Sequence, residues 1–233
     1  MNICKRMINK VLNNEKREER KIYIYSGAGI SEESGITTFR GNNGLWENYK
    51  ISEVCDFRTW EHNYDLVHDF YNKRRLDLED KKPNEAHNII RKMQKKFGTK
   101  NIINVTTNID DLFEKAKVKN TVHLHGYLHE MVDFQKNKII KLIDPVFEDY
   151  RIINKKYKPN VTFFNEPAPQ YVEMQKNSYN MKDGDIVICV GMSFNVIHPL
   201  QLMPFNKNIT SININLGYVR ESSVIHCRDE SII

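Results

Sequence analysis

A chain of 233 residues, 40% hydrophobic and 28% charged, suits one globular domain, alone or with a small insert, and can bury a substantial core. Its net charge of +5 goes with no aromatic-interleaved basic patch, so a lysine-rich surface is the simplest reading and no specific nucleic acid is expected. No run is apolar enough to span a bilayer, residues 1–20 lack the apolar centre of a secretory signal, and Cys4, Cys55, Cys189 and Cys227 form no Cys-x-x-Cys pair, so the expectation is reduced thiols, a cytoplasmic setting and no membrane.

The first predicted element is an amphipathic helix in residues 1–20, with Ile3, Met7 and Val11 at helical spacing. Lys21 to Tyr25 reads as a buried strand, and Gly27-Ala28-Gly29 follows it. Glycines there permit a tight turn and the close approach of a ligand to the backbone. Ser31 is placed to cap the next helix, whose free N–H groups would favour a phosphate. Strand, glycine turn and helix start suggest a dinucleotide site at the first crossover of a doubly wound sheet, although Gly-Ala-Gly alone also fits an ordinary turn.

Further on, Tyr71 and Arg74 lie three apart on a predicted helix and share one face. A phenol beside a guanidinium can hold a carboxylate; the alternative is a helix with solvated basic residues. Residues 101–106 read as another buried strand that ends at Thr107-Asn108-Ile109-Asp110. Polar residues at a strand's carboxyl end fit either a ligand site or a cap for the helix predicted over 111–117. Val122-His123-Leu124-His125-Gly126 puts two histidines on one face of a strand, a spacing that suggests a metal pair, but no third ligand follows at suitable spacing. Residues 183–193 read as a turn, a buried strand and a glycine exit at Gly191, and residues 210–216 as a last strand.

The block Gly-Ala-Gly-Ile-Ser-x-x-Ser-Gly-Ile-x-x-Phe-Arg-Gly, followed by Gly44-Leu45-Trp46, resembles the NAD-binding signature of the sirtuins, with Thr37 where that family usually has proline. Asn108-Ile109-Asp110, the His125-Gly126 dipeptide 15 residues after Asp110, Phe163-Phe164-Asn165-Glu166 and Gly191-Met192-Ser193 continue the resemblance in the family's order over about residues 20–220. It implies NAD contacts from Gly27, Ala28, Gly29, Ser31, Phe39, Arg40, Thr107, Asn108, Asp110, Gly191, Ser193 and Asn215. His125 would be the general base and Asn108 would orient a ribose hydroxyl or a water. Phe164, Asn165 and Glu166 would meet an acylated-lysine peptide, and Tyr71 and Arg74 would read an acidic acyl group, as in the succinyl- and malonyl-preferring class. Thr107 replaces a glutamine, Asn165 a glycine and Gly217 a glutamate of the family pattern.

Most sirtuins carry a zinc module between the histidine and the Phe-x-Glu stretch; here no cysteine stands between Cys55 and Cys189. No structural zinc is expected, and Ile139, Leu142, Val146, Phe147 and Ile152 are expected to hold the segment by an apolar cluster. The fold implied is α/β, a doubly wound, Rossmann-like parallel sheet of sirtuin type forming one catalytic domain. It would be built from about residues 1–48, 95–126 and 160–233, with a smaller insert domain from about 49–94 (helical) and 127–159 (the degenerate zinc module). The activity implied is NAD-dependent deacylation of protein lysine, releasing nicotinamide and acyl-ADP-ribose. An NAD hydrolase using water, or an ADP-ribosyltransferase, on the same scaffold is the alternative, and a nucleotide-sensing module without catalysis is a third reading.

Overall fold

A computed structural model describes residues 20–37, 45–46, 49–146, 157–215 and 224–227, with only the backbone for 45–46 and 224–227. The predicted N-terminal helix, Phe39, Arg40, Phe147, Ile152 and Gly217 lie outside those residues.

In chain order the strands are β1 (Ile22–Ser26), β2 (Leu45–Trp46), β3 (Tyr49–Lys50), β4 (Ile102–Thr106), β5 (Val122–His123), β6 (Gly126–Asp133), β7 (Lys138–Lys141), β8 (Tyr157–Val161), β9 (Ile186–Val190), β10 (Thr210–Ile214) and β11 (Val224–Cys227). The α-helices are α1 (Ile51–Val54), α2 (Tyr64–Leu78), α3 (Glu85–Phe97), α4 (Leu112–Lys115) and α5 (Tyr171–Asn180), and 3-10 helices cover Ala28–Ser34 and Pro199–Leu202.

Among the described residues the main sheet has six parallel strands in the order β11-β10-β9-β1-β4-β5. The chain winds outward from β1 through β4 to β5, then returns to the other side of β1 and continues through β9 to β11. The order therefore reverses between β1 and β9, where an open α/β sheet forms a crevice at its carboxyl edge. Side-chain alternation divides the strands between two cores. Ile22 and Ile24 of β1 join Ile102, Ile186, Ile188 and Ile212 on one face, and Tyr23 and Tyr25 join Val105, Val187 and Cys189 on the other. Burial on both faces accounts for the near-continuous apolar reading of these strands. Helix α3 belongs to the first core through Ile90, and Asn84 caps it by accepting from the Ala86 and His87 N–H groups at 3.0 and 3.4 Å.

A second layer combines α2 with the antiparallel sheet β7-β6-β8. Its core holds Trp60, Tyr64, Val67, Phe70, Tyr71, Leu128, Val161 and Phe163. Of the apolar cluster expected inside the insert, Phe147 and Ile152 lie outside the described residues; among those described, Ile139 is 51% exposed, and Leu142 and Val146 belong to none of the core clusters. The segment pairs as β-structure and leans on α2. The Tyr64 hydroxyl accepts from the Tyr157 N–H, His68 Nε2 donates to the Tyr157 carbonyl at 3.0 Å, and Trp60 stacks on Phe134. Arg75, fully buried, donates to the Leu128 and Pro145 carbonyls at 3.0 and 2.7 Å and to Asn72. Among the described residues no three His, Cys, Asp or Glu side chains gather as a metal site, and no helix is long and apolar enough to cross a membrane.

Candidate active site

At the point where the strand order reverses, three glycines interlock. Gly27 N–H donates to Val190 O and Gly29 N–H to Gly191 O, each at 3.0 Å. A Cβ on Gly27 would stand 2.8 Å from Gly191 O, and one on Gly29 would stand 2.8 Å from Gly191 Cα. Gly191 has φ of 60°, and a Cβ there would meet Ile30 N at 2.4 Å. Side chains at these positions would push the β1 and β9 turns apart and fill the floor of the crevice, so the cradle suits an extended ligand laid on bare backbone.

Ser31 does not cap a helix. The turn after Gly27 is a seven-residue 3-10 helix without a side-chain cap, and Ser31 is buried inside it. Its hydroxyl donates to Asp110 Oδ2 at 2.9 Å and accepts from Asn108 Nδ2 at 3.0 Å. Asp110 Oδ1 accepts from the Leu112 N–H at 3.1 Å and so ties the carboxylate to the first residue of α4, whose cap residue, Asp111, makes no side-chain capping bond. Burial raises the Asp110 pKa, opposed by the Leu112 and Ser31 donors. Asn108 N–H donates to Thr106 Oγ1 at 3.0 Å, which fixes its backbone at the end of β4. Thr107 turns its hydroxyl back onto the Ser26 carbonyl at 3.3 Å.

His123 and His125 do not share a strand face, because β5 ends at His123 and the chain turns at once. His123 goes behind the site, where Nδ1 meets Asn108 O at 2.8 Å and Nε2 meets Glu114 Oε1 at 3.1 Å. His125 turns into the crevice with Nε2 2.8 Å from the Tyr171 hydroxyl. The ring also hydrogen-bonds the Thr107 carbonyl, a contact assigned to Nδ1 because Nε2 is given to Tyr171. Burial lowers the His125 pKa, and the hydrogen bond to that carbonyl opposes the shift, so a neutral ring is favoured near pH 7. Gly126 permits the turn: at φ of 85°, a Cβ there would stand 1.9 Å from Asn160 O.

On the far wall, β8 ends at Val161, and Phe164 makes an isolated bridge to Asp56. The Phe164 N–H donates to Cys55 O and its carbonyl accepts from Phe57 N–H, each at 3.0 Å, so the main-chain groups of this residue, in the stretch expected to meet a peptide, are already paired. Asn165 has φ of 63°, a conformation that asparagine tolerates in place of glycine, and its amide donates to Asp56 Oδ2 at 3.1 Å. Glu166 accepts from the Phe163 N–H at 2.7 Å and pairs with the buried Lys158 ammonium at 2.9 Å. Lys158, whose Nζ lies 3.8 Å from the centroid of the Phe163 ring, carried no signal in the sequence beyond its charge.

One cavity of about 1030 Å³ brings these groups together. Gly27, Ala28, Gly29, Ser31, Gly191, Ser193 and Asn215 line it at and around the glycine cradle, together with Thr107, Asn108, Asp110 and His125. Arg74, Phe164, Asn165 and Glu166 line the other side. Asn215 donates to the Met192 carbonyl at 2.6 Å and braces the Gly191–Ser193 turn. Arg74 is 7% exposed and donates to Asp77 Oδ2 at 2.8 Å, with Asp77 also in the wall. Tyr71 does not line the cavity. It is fully buried, stacked on Phe163 and hydrogen-bonded to Cys55. Two lining residues that sequence reasoning missed are Cys55 and Tyr171. A lone cysteine and a helix-start tyrosine carry no motif.

Comparison with known proteins agrees with this geometry. The profile of the Sir2 family matches residues 27–198. An NAD-dependent protein deacylase of Helicobacter hepaticus is 35% identical over 224 residues, covering 89% of this chain and 86% of its own. An NAD-dependent protein deacylase of Pasteurella multocida is 36% identical over 212 residues, covering 87% and 89%. A solved Sir2 homologue–NAD complex shares the fold, with a TM-score of 0.78 and 22% identity, over 99% of this chain and 90% of that one.

Proposed function

Because the chain belongs to the Sir2 family, we propose that it is an NAD-dependent protein-lysine deacylase that releases nicotinamide and an acyl-ADP-ribose. The observation that carries the proposal is a neutral imidazole, His125, in one cavity with a bare-backbone glycine cradle and the Asn108–Ser31–Asp110 set. NAD supplies the ribose that accepts the acyl group and the nicotinamide that leaves. The cradle of Gly27, Gly29 and Gly191 fits its pyrophosphate, and Ser193 and Asn215 extend that wall toward the adenosine. Asp110 and Asn108 offer a carboxylate and an amide to the nicotinamide end. His125 takes the ribose hydroxyl proton on Nε2, since its other nitrogen faces a carbonyl and so must carry hydrogen.

The acyl-lysine partner enters past Phe164 and Asn165 in this reading. An acidic acyl group would be read by Arg74 alone of the expected pair, because Tyr71 stays behind Phe163. A cytoplasmic setting belongs to the same proposal, supported by the buried thiols of Cys55 and Cys189, neither of which is in a disulfide.

Nicotinamide release from NAD, with and without acetyl- and succinyl-lysine peptides, tests the reading. Release that requires an acylated peptide is expected. Release from NAD alone would make the protein an NAD hydrolase. In the same assay Arg74→Met should cut succinyl-peptide turnover about tenfold or more beyond any loss with the acetyl peptide, whereas Tyr71→Phe should leave the ratio of the two unchanged. Equal losses for Arg74→Met would end the acidic-acyl reading.

A further inference from the structure

The base proposed for the reaction is already hydrogen-bonded within the protein. His125 presents Nε2 to the cavity, and the Tyr171 hydroxyl lies 2.8 Å from it. The ring also donates to the Thr107 carbonyl, one residue past β4, and with Nε2 given to the phenol that donor is assigned to Nδ1. A carbonyl oxygen only accepts, so that nitrogen carries the ring proton and Nε2 carries the lone pair. The phenol must then be the donor. Burial raises the Tyr171 pKa, which keeps that proton in place at working pH. Tyr171 is the first residue of α5, lines the cavity, and brings its ring centroid within 5.8 Å of the imidazole.

We propose that Tyr171 is a positioning residue that occupies the proton-accepting nitrogen of His125 until a substrate ribose hydroxyl displaces it. Two consequences follow from the geometry. Before a ribose reaches that nitrogen the phenol stabilises the neutral, Nδ1-protonated ring, so the base waits in the tautomer that the reaction needs. When NAD binds, the ribose hydroxyl and the phenol compete for one lone pair, and the phenol must turn aside. The groups facing the imidazole are the Thr107 carbonyl from β4 and the Tyr171 phenol from α5, while the Thr162 N–H holds the His125 backbone carbonyl at 2.8 Å. The assignment goes beyond the proposed deacylation and rests on His125 as its base.

Tyr171→Phe tests it, since the ring and its packing stay and only the donor is lost. In NAD-free protein, an NMR titration of His125 should show its midpoint roughly 0.5 pH units or more higher in the variant, the size expected for one neutral hydrogen bond. The acid limb of kcat/KM for NAD, which reports the free enzyme, should rise by the same amount. The acid limb of kcat, which reports the bound complex from which the phenol has been displaced, should stay at its wild-type position. An unmoved His125 midpoint in NAD-free protein would overturn the proposal, as would a kcat limb that moves with that of kcat/KM. If the wild-type protein turned over no acylated peptide, the deacylase reading would fail, while the titration would still report the hold of Tyr171 on the histidine.

Discussion

His123 stands between two acceptors. The Asn108 carbonyl and the Glu114 carboxylate cannot donate, so both ring nitrogens must, and the ring is an imidazolium. Burial pulls its pKa down, but the Glu114 ion pair, the Asn108 carbonyl and Asp110 outweigh it, and the net shift is upward. The neighbouring phenol of Tyr127 on β6 has its own pKa raised by burial and stays neutral. A raised folded-state pKa contributes stability that is complete below the ordinary 6.5 and lost as pH climbs through the raised value. NMR should therefore find His123 still doubly protonated above pH 6.5. His123→Gln, which can donate to only one of the two acceptors, should cut nicotinamide release roughly tenfold by loosening Asn108. Unchanged release would remove His123 from the site. The sequence showed only part of this. The motif placed Asn108, Asp110 and His125, but alternation paired His123 with the wrong neighbour, because the strand ends between the two histidines. Ser31 was misread for a related reason: its position after the glycine turn fits a cap, and only the close approach of β4 shows that its partners are Asn108 and Asp110.

At the scale of elements, the insert is the place where sequence and structure part. The absence of cysteine pairs was visible, but what replaces them was not, because its partners lie far away on α2. Arg75 reaches Leu128 on β6 and Pro145 beyond β7, while Tyr64 and His68 reach Tyr157 on β8. In a sequence, an arginine beside Arg74 reads as one more solvated charge; here it is fully buried and its pKa is pushed down to about 10 by that burial. Arg75→Met keeps much of the bulk and strands the carbonyls it held, at a cost of about 3 kcal/mol. The variant should lower the melting temperature and open the insert to proteolysis before the main sheet. Simultaneous loss of both layers would show that Arg75 supports the whole fold rather than this join.

Across the whole molecule, the parallel sheet was legible because its strands are short apolar runs that end in glycine or polar residues. A smaller insert from a helical and a cysteine-free segment is expected from the sequence, but how the two pack is not legible there, since α2 carries polar side chains inward as well as outward. Inward histidines, one on α2 and one on α3, cost stability at low pH. His68 and His87 are fully buried, and burial, opposed in part by the Tyr157 carbonyl and by Glu114 respectively, holds each pKa down to about 4. Above pH 6.5 the ring is neutral in both states and costs nothing. As pH falls from 6.5 toward 4, the unfolded chain takes protons that the folded one refuses, and stability drops by on the order of 3 kcal/mol for each histidine. Melting temperature followed from pH 7 to 4 should fall steeply across that window. His87→Phe should flatten the curve, and an unchanged slope would place the acid sensitivity elsewhere.

The pairing of Gly126 with Val161, together with the bond from the Thr162 N–H to the His125 carbonyl, closes the β6–β8 ladder directly beside the base. Beyond that closure the register shifts before pairing resumes at Met131, and the β6–β7 hairpin runs out to exposed residues around Asn137, with φ of 46°. The hairpin tip is thereby insulated from the chemistry. For protein engineering it is a natural graft point: a peptide tag or a recognition loop placed there changes what the protein docks with while His125 keeps its seat.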